Sequence, residues 1–202
     1  MPRRTGSTDP RAVRTRTSLI EASIKLLAEG RSEELSVSQI VEHARVSRQV
    51  FYEHFESREE LLTAVGDQVL VEPIARYAQG LADNYGDENN VLELAKEVGP
   101  RRRVVLNLIH GPADSAIYGR CRDALLPVTL ELLDDQLGPP GQEIPADDMK
   151  WSAEFLIAGL LGILAEALRS ATGPAEAARR VKAVARTVET LRLSRRNAET
   201  EE

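Results

Sequence analysis

Apolar positions recur at helical spacing through almost the whole chain. Leu19, Ile20, Ser23, Ile24 and Leu27 fall on one face of a first helix. Asp9-Pro10 opens it, with a capping carboxylate followed by a proline where the helix needs no N–H, and Gly30 closes it. Ser18 with Glu21 forms a capping box that offers a later start for the same helix. Three short helical units follow. Ser36 and Gln39 have capping-box spacing, and that unit runs to about Ala44 with Ile40 and Val41 inward. Arg45-Val46 is a tight connection, after which Ser47 caps a helix from Arg48 to about His54. Ser57 and Glu60 open a longer helix through Leu61, Leu62, Val65, Val69 and Leu70, with Pro73 expected to kink it.

Asp83 to Asn90 is polar and turn-rich, and the pattern beyond it is again helical. Helices are predicted from Val91 to Val98, from Arg101 to His110, and from Asp114 or Ser115 to Leu137, the last bent at Pro127. Gly138-Pro139-Pro140-Gly141 is a strong stop. Two long helices then close the chain, from about Ala146 to Ala171 and from Pro174 to about Arg195. No segment alternates with period two between turn residues, so the fold class is all-α.

Composition narrows the class. With 42% hydrophobic residues in 202, the chain has enough apolar material for a packed core. Its single cysteine, Cys121, excludes an intramolecular disulfide and suits a reducing compartment. The longest unbroken apolar run, Phe155 to Ala165, is shorter than the roughly 20 residues of a membrane helix. The basic start Met1-Pro2-Arg3-Arg4 has no apolar stretch behind it. The expected location is the cytoplasm, with no membrane partner.

The net charge of −6 argues against nucleic acid, but its distribution reverses that inference. Residues 1–58 carry 10 basic and 8 acidic side chains, for +2, which leaves −8 on the remainder. A front part that meets a polyanion and a rear part that does not would be charged this way. The stretch from Ser36 to Arg58 supplies the matching geometry: a bracing helix, a very short turn, and a second helix able to enter a major groove about 12 Å wide. Val46, Val50, Phe51 and Phe55 form the inner side of that second helix, leaving Ser47, Arg48, Gln49, Tyr52 and His54 outward. Arginine can bond guanine O6 and N7, glutamine can bond adenine, and tyrosine can reach phosphate or a thymine methyl.

These residues resemble the TetR-like (TetR/AcrR) family of transcriptional regulators. The resemblance is carried by Leu19-Ile20-Glu21-Ala22, Leu26-Leu27-Ala28-Glu29-Gly30, Leu35 to Ile40, Ala44 to Arg48 and Phe51 to Leu62, over roughly the first 70 residues. It implies an N-terminal three-helix helix-turn-helix domain, residues 1–58 with a basic arm at 1–9, and a helical ligand-binding and dimerisation domain, residues 59–202. It further implies that Ser47, Arg48, Gln49 and Tyr52 lie on the recognition helix. Ser36, Ser38, His54, Arg58, and Arg14 or Arg16 would then touch backbone phosphate, with Arg45 near phosphate in the turn. This chain departs from the family's pattern at Arg45, where glycine is usual, and at Val41, where alanine is usual. A left-handed Arg45 would cost on the order of 1 kcal/mol.

In the penultimate helix Met149, Ala153, Leu156, Leu160, Ile163 and Ala167 form one stripe, and Phe155, Ala158, Gly159, Gly162 and Ala165 form an adjoining face. Glycines inside a helix cost about 1 kcal/mol each against alanine, so close approach of another helix is expected there. Ala178, Val181, Ala185, Val188 and Leu191 continue the pattern in the last helix. A homodimeric four-helix bundle follows, with Leu156, Gly159, Leu160, Gly162, Ile163, Ala178, Val181, Ala185 and Val188 at its interface. Leu106, Ile109, His110, Tyr118, Cys121, Leu125, Trp151 and Phe155 are the expected lining of an effector pocket, mixing apolar walls with polar handles.

The histidines and the cysteine have no metal-ligand spacing, and there is no phosphate loop, nucleophile elbow or nucleophile–base pair, so neither metal, cofactor nor catalysis is expected. The reading is a ligand-responsive homodimeric repressor of a palindromic DNA operator, its effector an unidentified small molecule. A DNA-binding regulator or activator without an effector is one alternative; a helical ligand carrier or enzyme is another.

Overall fold

The structure is a computed structural model that describes residues 9–30, 32–83, 88–137, 145–170 and 173–183. Among these there are helices and turns and no strands: α1 (Pro10–Glu29), α2 (Val37–Ala44), α3 (Arg48–His54), α4 (Arg58–Gly66), a π-helical turn (Asp67–Val71), α5 (Glu72–Asp83), α6 (Glu88–Val98), a 3-10 turn (Gly99–Arg101), α7 (Arg102–Leu108), α8 (Asp114–Leu137), α9 (Ala146–Arg169), and a further helix over 174–183. The architecture is all-α. The turn-rich residues 84–87, the Gly138–Gly141 stop, and Ala185, Val188 and Leu191 lie outside the described residues.

Local chemistry sets the first boundaries. Asp9 caps α1 by accepting from the Arg11 N–H, and Pro10 occupies the first helical position, so the Asp9-Pro10 start prevails over Ser18. Two expectations shift. Glu88 to Asn90, expected to belong to a turn-rich stretch, form the first residues of α6, which starts three residues before the expected Val91. Arg101–His110 becomes the shorter α7, because Gly99–Arg101 forms a 3-10 turn and Gly111 N–H closes a turn on the Leu108 carbonyl. As expected, α8 runs from Asp114 to Leu137 with Pro127 inside it. Proline at 73 cannot bond the Val69 carbonyl, and the chain before it adopts π geometry, with Glu72 N–H reaching the Asp67 carbonyl.

The chain divides into two compact units, Met1–Ala75 with Arg101–Ala124, and Arg76–Pro100 with Leu125–Glu202. In the first, α1 packs on α2, α4 and α7 around Leu19, Leu27, Ile40, Phe51, Phe55, Leu61 and Leu108, all fully withdrawn from water. Gly66 is where α4 meets α8: a β-carbon there would stand 2.5 Å from Ile117 Cδ1. Arg120 of α8 donates to Asp67 at 2.8 Å, and burial pushes the Asp67 carboxyl up against that pull.

A polar clamp ties the end of α1 to α7. Asn107 Nδ2 donates to the Leu27 carbonyl at 2.8 Å and the Gly30 carbonyl at 2.7 Å, while buried Ser32 donates to the Asn107 carbonyl at 2.5 Å. Helix ends leave carbonyls without intrahelical partners, and Asn107 satisfies two of them.

The second unit buries Ala153, Ile157, Leu164, Ala167 and Leu168 of α9, with Ala95, Ala167 and Ala177 in one cluster. By length and apolar composition α9 also passes the test for a membrane-crossing helix, a test that core helices of soluble proteins pass too.

Asn107→Ala should cost about 1–3 kcal/mol, since it strands two carbonyls at the end of α1. Urea unfolding should show a lower midpoint with an unchanged m-value; an unchanged midpoint would mean that water replaces the clamp without loss.

Candidate nucleic-acid interface

The bracing helix is fixed by a reciprocal cap. Ser36 Oγ accepts from the Gln39 N–H at 3.3 Å, and Gln39 Oε1 accepts from the Ser36 N–H at 2.8 Å. Its other end is a Schellman turn. Arg45 is left-handed, at φ 56° and ψ 42°, with its N–H on Glu42; the Val46 N–H reaches back to the Val41 carbonyl at 3.0 Å. That motif places two valines, at 41 and 46, where an apolar pair commonly closes the turn. Arg45 is the sole non-glycine residue with positive φ among the described residues. Ser47 then caps α3, its hydroxyl accepting from the Val50 N–H at 3.2 Å.

The inner side of α3 is set by aromatic burial. Phe51 and Phe55 are excluded from water, their ring centroids 5.9 Å apart. Arg16 of α1 places its guanidinium carbon 4.2 Å over the Phe55 ring and donates to the His54 carbonyl at 3.2 Å. With that side pinned, the opposite side faces outward. Arg45, Ser47, Arg48, Gln49 and Tyr52 are all exposed, Tyr52 at 56%. Tyr52 stands edge-on to Phe51 at 5.1 Å, so an exposed ring is braced by a buried one. Arg48 donates to the Ser38 hydroxyl across the turn, which joins the two helices on their outer side.

Three of the residues expected at phosphate are engaged within the protein. His54, expected outward, is 2% exposed: it lies one turn from Phe51 and next to Phe55, so its imidazole shares the core side of α3. Arg16 is the strut just described. Arg58 donates to the Glu33 and Leu35 carbonyls at 3.2 and 3.1 Å and pairs with Glu59, tying the loop before α2 to the start of α4. Ser36 spends its hydroxyl on the cap, and Arg14 is exposed on α1. The sequence gives no sign of the roles of Arg16 and Arg58, because their carbonyl partners are 38 and 23–25 residues away.

The residues expected around an effector are differently placed. Leu106 and Ile109 are half-buried, His110 and Tyr118 exposed, and Cys121 and Leu125 are core. His110 holds its ring on the Leu106 carbonyl at 2.7 Å. Burial pushes the Cys121 thiol up to about 12, so it is neutral and unreactive at physiological pH. Trp151 and Phe155 are exposed on α9. Of the residues expected between subunits, Gly159 and Gly162 are exposed, Leu156, Leu160, Ile163 and Val181 half-buried, and Ala178 buried in its own chain.

Residues 19–65 match the sequence model of the tetR family of bacterial regulatory proteins. No curated protein sequence matches the chain significantly. Among solved structures, a TetR/AcrR-family transcriptional regulator from Aquifex aeolicus VF5 superposes with a TM-score of 0.60 at 17% identity, over 86% of this chain and 99% of that one. NalD of Pseudomonas aeruginosa, described as the secondary repressor of the MexAB-OprM multidrug efflux pump, gives 0.58 at 21%, over 83% and 91%. The dihydroxyacetone kinase operon activator DhaS gives 0.54 at 16%, over 84% and 93%. At these identities the structural likeness speaks for the fold. The family match covers the helix-turn-helix itself, and regulators of this family bind DNA and are not enzymes. With its capped bracing helix, its pinned second helix and the family pattern matched over residues 19–65, this part of the chain resembles the DNA-binding helix-turn-helix of the tetR family of bacterial regulatory proteins.

Proposed function

We propose that the chain is a homodimeric repressor that acts in the cytoplasm, holds a near-palindromic operator through two copies of α3, and releases it when a small molecule binds the helical part beyond residue 58. The observation that carries the DNA reading is the two-sidedness of α3: aromatic burial on one side fixes Ser47, Arg48, Gln49 and Tyr52 on the other. Arg48 and Gln49 read bases, Tyr52 and Ser38 contact the backbone, and Arg14 and Arg45 meet phosphates at the edges of the footprint. Arg16, His54 and Arg58 support this surface from within.

The homodimer is supported by α9. A β-carbon added at Gly159 or Gly162 would meet nothing within 4 Å, so nothing in the described part of its own chain offsets their helix cost. A two-fold pair would set the α3 helices about 34–36 Å apart, one turn of DNA. An effector need only bind a dimer form of different spacing more tightly, and a coupling of roughly 1–3 kcal/mol is enough to weaken operator binding 5–150-fold. Both a repressor and an operon activator share this fold, so the sign of regulation is decided by a promoter assay with and without the chain.

Selection of bound genomic DNA should return near-palindromic sites, and affinity for them should fall steeply with salt, because phosphate contacts release counterions. Arg48→Ala should cost about 1–3 kcal/mol at the selected site and relax its specificity while the protein stays folded. A folded Arg48→Ala protein with full operator affinity would remove α3 from base reading.

Arg45→Gly separates strain from contact. Glycine relieves a left-handed penalty of about 1–2 kcal/mol, partly offset by its extra chain entropy, so the melting temperature should rise by a few degrees. The same change should weaken operator binding uniformly across sequences and lower the salt slope by about 1. A higher melting temperature with unchanged DNA affinity would leave Arg45 without a role at phosphate.

A further inference from the structure

Arg48 is held differently from many arginines of this chain. Arg58, Arg76, Arg120 and Arg169 each pair with a carboxylate. Arg48 is exposed and bonds no acid among the described residues; its Nη2 donates to the Ser38 hydroxyl instead. A neutral hydroxyl holds a guanidinium without cancelling its charge. The two residues stand at the starts of neighbouring helices, Ser38 second in α2 and Arg48 first in α3. Side chains tilt toward the N-terminus of their own helix, so Arg48 projects ahead of α3 and back along α2, where Ser38 meets it. Ser38 takes no part in the cap of α2, which Ser36 and Gln39 make between themselves.

We propose that Ser38 is a positioning residue for base reading: its hydroxyl accepts from Arg48 while donating to a backbone phosphate, so the seat of α2 on the phosphates fixes which base edge Arg48 reaches. This positioning rests on Arg48 being a base contact, and names what aims it. The hydroxyl has capacity for both bonds, because Arg48 occupies a lone pair and leaves the O–H hydrogen free to donate. The guanidinium has capacity too. Nη2 carries two hydrogens, one on each two-donor edge, so whichever one Ser38 takes, the other edge stays whole for guanine O6 and N7. A long side chain gives up rotamer freedom when it binds, and an Arg48 already held before DNA arrives has less to give up. Phosphate contacts alone carry no sequence information. A serine that touches phosphate and also steers an arginine makes register and base identity depend on one another.

The test titrates the full chain against two duplexes: the selected operator, and the same site changed at the base pair whose preference Arg48→Ala erases. Ser38→Ala should weaken the selected site about 30-fold and the changed site only about threefold, so discrimination at that one pair falls about tenfold. Discrimination at the neighbouring pairs should stay, and so should the melting temperature, since Ser38 lies outside the cap. Ser38→Thr keeps the hydroxyl and should keep the discrimination. Placed in an Arg48→Ala protein, Ser38→Ala should cost only the threefold phosphate share, because the residue it steers is gone. Equal losses at both duplexes, a full 30-fold loss in the Arg48→Ala background, or no loss at all would each overturn the positioning role while Arg48 remains a base reader. So would a Ser38→Thr protein as indiscriminate as Ser38→Ala. If Arg48→Ala erases no preference anywhere in the site, base reading by Arg48 fails first and the role of Ser38 falls with it.

Discussion

A helix of seven residues has no stability of its own in water, because a first turn costs more than its few hydrogen bonds return. α3 therefore exists, and faces the way it does, only because Phe51 and Phe55 are drawn into the first unit's core. Arg16 stacks on Phe55 and holds the His54 carbonyl, so the end of α3 is fixed by a cation that has one face on a ring and one donor on the backbone. Every outward residue of the reading surface inherits its direction from this packing. A fault in it would rotate Ser47, Arg48, Gln49 and Tyr52 together.

The other constraint on α3 is the angle at which it leaves α2, and it is held by the left-handed Arg45. A non-glycine residue in that region is kept only where its surroundings over-determine it. Here they do: the Schellman bonds lie on one side, the Ser47 cap on the other, and Arg48 spans to Ser38 above. The turn would close as well around glycine. Arginine there leaves an exposed cation in the turn, beside the outward residues of α3.

Helix starts were legible in the sequence because they are decided by neighbours within three residues. Asp9, Ser36, Ser47 and Ser57 each cap the helix expected of them. The inner side of α3 was legible for the same reason, apart from His54: a histidine carries no periodic signal that distinguishes a core place from a solvated one. The engagement of Arg16 and Arg58 with carbonyls of the chain has another cause. An arginine's five donors accept carbonyls as readily as phosphates, and which one it meets depends on chain segments far away in sequence. The Asn107 clamp was illegible on the same ground, its partners standing 77 and 80 residues away.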